Sequence, residues 1–167
     1  GPRSLIFETH ATSLDNEAGL ASGWFDVALS LTGEAQARML GARRRDDHLA
    51  TIFCSDLSRS VRTAEIAFGD RSLPIVRDAR LRECDYGDLT RWPTSEIEQR
   101  RLRHLVVPFP NGESYQQVVA RGWHDERLKA IVLQALAHYM QGDHDKAKSA
   151  LNEAWTLAER AGFVRLF

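Results

Sequence analysis

Cysteine is scarce in this chain, and so is anything else from which a stapled or metal-bound fold could be built. Only Cys54 and Cys84 occur in 167 residues. They form no C-x-x-C pair, and no His/Cys cluster stands at metal-ligand spacing. Buried free thiols are expected rather than a disulfide or a metal site, which fits a reducing, cytoplasmic setting. Neither sign of charge is in excess. With 22 basic against 23 acidic side chains, there is no footprint for nucleic acid or an anionic membrane surface. Long apolar runs are missing as well: none approaches the roughly 20 residues that cross a bilayer, no signal peptide is visible, and no membrane partner is expected. Gly1-Pro2 reads as the remnant of a cleaved tag and is set aside. What remains, at 43% hydrophobic content, suffices for one compact domain or one domain with a small appendage. Any binding site must therefore be local.

The stretch Ser4 to Asn16, SLIFETHATSLDN, begins as a short apolar run (Leu5, Ile6, Phe7) and breaks at Thr9-His10 into a polar loop. This is the pattern of a strand and its exit. Ligands and catalysis gather at the carboxyl ends of strands in open α/β sheets, so His10 is the first candidate. A glycine-bearing loop follows from Asn16 to Leu31, with Gly19, Gly23, Trp24 and Asp26. Thr32 is placed to cap a helix over GEAQARMLGARRRDD, with Ala35, Ala37, Leu40 and Ala42 as its apolar positions. Thr51 to Cys54 predicts a buried strand ending at Ser55-Asp56, which can cap a helix from Leu57 to Phe68. Leu73 to Val76 predicts a third strand. Strand and helix in alternation argue an α/β fold with a small, mainly parallel sheet built of βαβ units and flanked by helices.

Between Glu83 and Gly112 the pattern weakens. A short helix is expected from Pro93 to Arg103, because proline suits a first helical position. Phe109-Pro110-Asn111-Gly112 is a turn. From Glu113 onward the chain reads as helix to about Ala161, interrupted at Gly142-Asp143, which predicts a hairpin of Arg127 to Gln141 and Asp145 to Arg160.

Five stretches in order, ETHATSLDN, ASGWFDVALS, IFCSDLSRSVRTAEIAF, RLRECDYGDL and PNGESY, resemble the histidine phosphatase superfamily, whose founding members are phosphoglycerate mutases. The resemblance covers roughly Leu5 to Arg121. It implies that His10 is the phospho-accepting histidine, that Arg59 and Asn16 contact the phosphate, that Glu83 is the general acid, and that Gly23 and Trp24 form a loop near the substrate. It implies no cofactor and no metal. The chemistry is coherent: a neutral imidazole can attack phosphorus and hold a phosphoryl group. An arginine fork suits the equatorial oxygens, and a carboxylic acid can protonate the leaving oxygen.

Two departures stand out. The family's Arg-His-Gly is Thr9-His10-Ala11 here, so one phosphate-binding arginine is absent, and no run after Glu113 matches the strand that carries the family's second histidine. The C-terminal residues instead resemble one tetratricopeptide-type hairpin of the LuxR/MalT-like regulators. The organisation expected is thus a histidine-phosphatase-like segment over 3–122, an incomplete phosphoglycerate mutase-like core, joined to a helical hairpin over 126–167. This describes a chimera, natural or engineered, with its junction near Arg121 to Arg127.

Each singled-out residue also has a plainer reading. A lone loop histidine bonds to backbone and a lone helical arginine lies on the surface, but His10 and Arg59 in family order with Asn16 and Glu83 favour catalytic ancestry. His104, His124, His138 and His144 read as surface or satisfied helical histidines, and Trp123 and Trp155 as packing residues. The run Arg100, Arg101, Arg103 reads as a solvated face, anion binding being the lesser reading. The function expected is a phosphatase-derived protein with little or no phosphomonoesterase activity and weak affinity for phosphate or phosphomonoesters. A homodimer is expected, closed through hairpins or strand exchange. The runner-up is an active phosphomonoester hydrolase with a phosphohistidine at His10, and a peptide-binding module on the hairpin is weaker still.

Overall fold

Two short strands and the helix between them form the frame that carries the site. The structure, a computed structural model, describes Ile6, residues 8–122 and, further on, His138, Asp143, Asp145, Lys146 and Ser149. Strand β1 (Ile52–Cys54) lies parallel to β2 (Ile75–Arg77), with Ile52 opposite Ile75, Phe53 opposite Val76 and Cys54 opposite Arg77. Before them come the short helix α1 (Leu14–Glu17) and the longer α2 (Leu31–Arg43); between the strands runs α3 (Ser58–Phe68), and after them follow α4 (Thr94–Arg100) and α5 (Tyr115–Gly122). The expected βαβ unit is thus present.

The apolar pattern explains the packing. In β1, Ile52 and Cys54 point inward and Phe53 outward, the period of two that a strand imposes. On α3, Val61, Ala64, Ala67 and Phe68 fall on one face and join Leu40 of α2 with Ile52 and Cys54 in one core cluster. Each large side chain buried this way contributes about 1.5 to 3 kcal/mol. Helices α2 and α3 touch so closely that a Cβ on Gly41 would run into the backbone carbonyl of Ala67. A second cluster gathers Ala21, Cys84, Tyr86, Leu89, Ile97 and Phe109, with Tyr115 and Val118 against it. His104 is buried there, its Nδ1 bonded to the Val107 carbonyl and its ring stacked on Phe109 at 3.8 Å, which fits the satisfied-histidine reading.

Several boundaries differ from the sequence expectation. Ser30, not Thr32, caps α2 by accepting from Gly33 N–H, because the helix starts one residue before Thr32. Ser55-Asp56 does not cap α3. Its N-cap position is Leu57, with no side-chain cap, and the carboxylate of Asp26 from a distant loop accepts from Ser58 N–H (2.7 Å) and Ser58 Oγ (2.6 Å) instead. Asp56 is turned to Arg82. Pro93 occupies the N-cap of α4 rather than its first helical turn, and that helix ends at Arg100. Helix α1 stands where the sequence predicts loop; Ser13 and Asn16 form a reciprocal capping box around it.

Of the expected first strand Ile6 and Glu8 are described: Ile6 lies in no regular element and Glu8 in a single β-bridge. The expected hairpin lies outside the described residues apart from isolated positions at its turn, where Asp143 accepts from Lys146 N–H. His124, His144, Trp123 and Trp155 also lie outside them. Among the described residues no helix is long and apolar enough to cross a membrane, and no group of His, Cys, Asp and Glu could hold a metal.

Candidate active site

Helix α3 fixes the loop that holds His10. Thr63 Oγ1 accepts from Ala11 N–H at 3.0 Å and donates to the Arg59 carbonyl at 2.7 Å, so the residue after His10 is tied to the helical turn that bears Arg59. His10 Nδ1 lies 2.6 Å from the Ala11 carbonyl. A carbonyl only accepts, so Nδ1 carries the proton and Nε2 keeps its lone pair. Burial pushes the imidazole pKa down to about 4, and the nearby Arg59 charge adds to this, against the opposing effect of the Ala11 bond. At neutral pH His10 is an uncharged imidazole with Nε2 as its basic nitrogen.

Arg59 is almost fully buried, 1% exposed, and three acceptors hold its guanidinium. Nη1 donates to the Phe25 carbonyl (3.0 Å), and Nη2 to the Gly23 carbonyl (2.7 Å) and to Glu83 Oε2 (3.1 Å). A buried charge persists only when it is paired and hydrogen-bonded in this way. Gly23 can present its carbonyl because its φ is +54° and a Cβ would meet Tyr86 Cδ2 at 3.0 Å and the Cys84 carbonyl at 3.2 Å.

Glu83 is held at both ends. Tyr86 Oη donates to Oε1 at 2.7 Å while Arg59 takes Oε2. Its backbone carbonyl accepts from Trp24 Nε1 (2.9 Å) and from Arg121 Nη2 (2.8 Å), and Arg121 also bonds the carbonyls of Arg80 and Arg82. The guanidiniums of Arg82 and Arg121 lie over the Trp24 ring, at 4.8 and 5.7 Å from its centroid. Asn16 turns its side-chain oxygen to Ser13 N–H and Oγ, both at 2.9 Å, leaving its amide NH₂ as the free end.

His10, Asn16, Arg59 and Glu83 line one cavity of about 110 Å³. Gly23 and Trp24 do not line it; they fix the groups that do. Tyr86, which the sequence reading missed, and Arg101, which it gives within a run read mainly as a solvated face, line it too. Tyr86 sits in the quoted RLRECDYGDL stretch and could have been singled out there, whereas nothing in a run of arginines tells which one faces inward. A larger hollow of about 360 Å³ lies on the other side of His10, lined by Thr9, Gln36 and Arg43 among others. Its arginine is paired with Glu8 at 2.9 Å, and it contains neither Arg59 nor Glu83, so the smaller cavity is the one equipped for phosphoryl chemistry. Thr9 faces the larger one, and position 9 gives the smaller cavity no cation.

A family model described as histidine phosphatase superfamily (branch 1) matches residues 5–136. The chain belongs to this family. The match runs through Arg121 to Arg127, where the sequence reading places a junction. A 2,3-bisphosphoglycerate-dependent phosphoglycerate mutase of Methylobacterium sp. (strain 4-46) is 35% identical over 133 residues, covering 71% of this chain and 64% of that protein. The chain thus spans just under two thirds of the length of the curated relatives it matches. Among solved structures, Bacillus stearothermophilus YhfR is 26% identical with a TM-score of 0.61, over 97% of this chain and 70% of that one. The alpha-ribazole phosphatase from Shigella flexneri is also 26% identical, with a TM-score of 0.60, over 84% of this chain and 67% of that one. Membership accounts for an α/β core with a small parallel sheet.

Proposed function

We propose that this chain binds the phosphoryl group of small phosphomonoesters in the His10–Arg59 cavity and accepts it on His10, with little or no turnover as a phosphomonoesterase. The observation that carries the reading is a neutral, half-buried imidazole opening on the same cavity as a buried arginine. In the step proposed, Glu83 first takes up a proton from water, and His10 Nε2 then forms a bond to phosphorus as the ester P–O bond breaks, the departing oxygen receiving that proton from the Glu83 carboxyl. Hydrolysis of the phosphohistidine then needs water to give a proton back to Glu83.

Slow turnover is supported by the way the site is balanced. Arg59 is already committed to two carbonyls and a carboxylate, and position 9 contributes no positive charge. Glu83 is an acceptor on both oxygens, so donating a proton to a leaving oxygen requires one of those bonds to open. Groups that act as a unit lose far more than additively when one is missing. Buried, unpaired Cys54 and Cys84 suit a cytoplasmic setting. The same reading includes pairing with a second copy, supported by Phe53 and Val76, which among the described residues lie side by side and exposed on the sheet of β1 and β2. The relatives' name makes 2,3-bisphosphoglycerate the first phosphoryl donor to try.

Incubation with p-nitrophenyl phosphate, beside His10→Ala, tests the turnover. A rate within a few-fold of His10→Ala is expected, and a robust rate abolished by the substitution would overturn the low-turnover reading. Phosphorus NMR of the denatured protein after incubation with 2,3-bisphosphoglycerate, and separately with p-nitrophenyl phosphate, tests the acceptor. A phosphohistidine resonance absent from His10→Ala is expected from at least one donor; no such resonance from either would remove His10 from its role.

A further inference from the structure

We infer that Arg101, at the C-terminal end of α4, supplies the positive charge that position 9 does not, by leaving Glu98 to close on the bound phosphoryl group. The inference rests on the reading of the cavity as a phosphoryl site and adds to it the residue that completes the charge. Of the run Arg100, Arg101 and Arg103, Arg101 alone lines the cavity. Arg100 turns away, paired with Glu96 at 3.2 Å and lying over the Trp92 ring at 5.4 Å.

Charge balance at the wall decides which arginine is available. The cavity is lined by two arginines and two glutamates, with His10 uncharged. Arg59 is paired with Glu83 and Arg101 with Glu98 (2.8 Å), so the walls carry no net charge toward a dianion. One pair must open for a phosphoryl group to be held. The Arg59–Glu83 pair is braced by Tyr86 Oη and two carbonyls, and its arginine is 2% exposed on the side chain; breaking such a buried pair is costly. The Arg101–Glu98 pair is an i,i+3 contact with both side chains half exposed, at 52% and 50%, the kind of pair that contributes little. A dianion with tetrahedral oxygens competes well for a guanidinium fork released from a single carboxylate. The Arg101 guanidinium lies 5.7 Å over the Tyr115 ring. The ring is a ledge along which the arginine can slide. The chemical class recognised is a tetrahedral oxyanion, either free or as the head of a monoester.

Calorimetric titration of the full chain with orthovanadate, and separately with inorganic phosphate, tests this. Arg101→Gln is expected to weaken binding about tenfold or more, the loss of a hydrogen bond between charged groups, and Arg101→Lys by less. Glu98→Gln is expected to tighten binding roughly twofold to fivefold, because it removes the competing carboxylate of an exposed pair. Arg100→Gln should leave it unchanged. A melting temperature within a few degrees of the parent certifies each fold, and the half-exposed side chains make these substitutions mild. Binding lost in Arg59→Lys but unchanged in both Arg101→Gln and Glu98→Gln would overturn the inference and leave the phosphoryl-site reading standing. If the parent chain itself binds neither anion, that reading falls and the inference with it.

Discussion

His10 shows what tertiary placement adds to a residue that the sequence can only nominate. Burial holds its imidazole neutral down to about pH 4, whereas an unfolded chain takes up that proton near pH 6.5. Between these values the unfolded state binds more protons, so stability falls as pH drops from 6.5 to 4, by roughly 3 kcal/mol for a difference of this size. The histidine ring resonance in NMR is expected to titrate with a midpoint near 4. Urea unfolding of His10→Gln should lose much less stability over that window than the parent; equal losses in the two proteins would place the acid sensitivity elsewhere. His10, Asn16, Arg59 and Glu83 could be nominated because each stands in a quotable stretch whose order is specific. Tyr86 stands in such a stretch as well, but Arg101 could not be nominated, since its importance lies in which carboxylate it meets and which cavity it lines, and periodicity does not encode either.

At the scale of elements the alternation of strand and helix was legible, while the caps were not. Ser55-Asp56 stands before α3 with the right chemistry for a cap, but Asp56 forms a two-pronged pair with Arg82, at 2.6 Å on both oxygens. That arginine holds the Asp56 carboxyl below its usual range. The cap comes from Asp26, 32 residues earlier in the chain. This exchange fastens the Gly23–Phe25 loop, whose carbonyls hold Arg59, to the start of the helix that carries Arg59. Local sequence supplies candidates for a cap, and the fold chooses the one that also closes the site. Asp26→Ala is accordingly expected to cost about 1 to 2 kcal/mol, the usual loss of a helix cap, and to weaken vanadate binding. Asp56→Ala removes a partly exposed, two-pronged pair, its side chains 26% and 34% exposed, and should cost about 1 kcal/mol at most. Urea midpoints for the two variants check the order, and a larger loss for Asp56→Ala would restore the local-cap expectation for α3.

For the whole molecule, the parallel pairing of β1 and β2 follows from apolar runs separated by a crossover helix, the arrangement that sequence alternation predicts well. The C-terminal third was harder to assign for a physical reason. Alanine and leucine at helical spacing satisfy many different partners, so the residues after Arg121 could be read as a repeat hairpin, although the family match continues to residue 136. The proposed pairing of two copies draws on the outer face of the sheet, where Phe53 and Val76 sit opposite one another at 44% and 39% exposure. Among the described residues these adjacent apolar side chains lack cover, whereas parallel sheets are generally buried on both faces. A second copy laid on this face would remove both side chains from water. Light scattering behind a sizing column is expected to give twice the chain mass at micromolar concentration. Phe53→Lys, an outward position in β1, should return the protein to a monomer without loss of helical signal, because a charge on that face opposes dimer closure and does not enter the core. A parent chain that elutes as a clean monomer, or a dimer indifferent to Phe53→Lys, would show that this face is not where two copies meet.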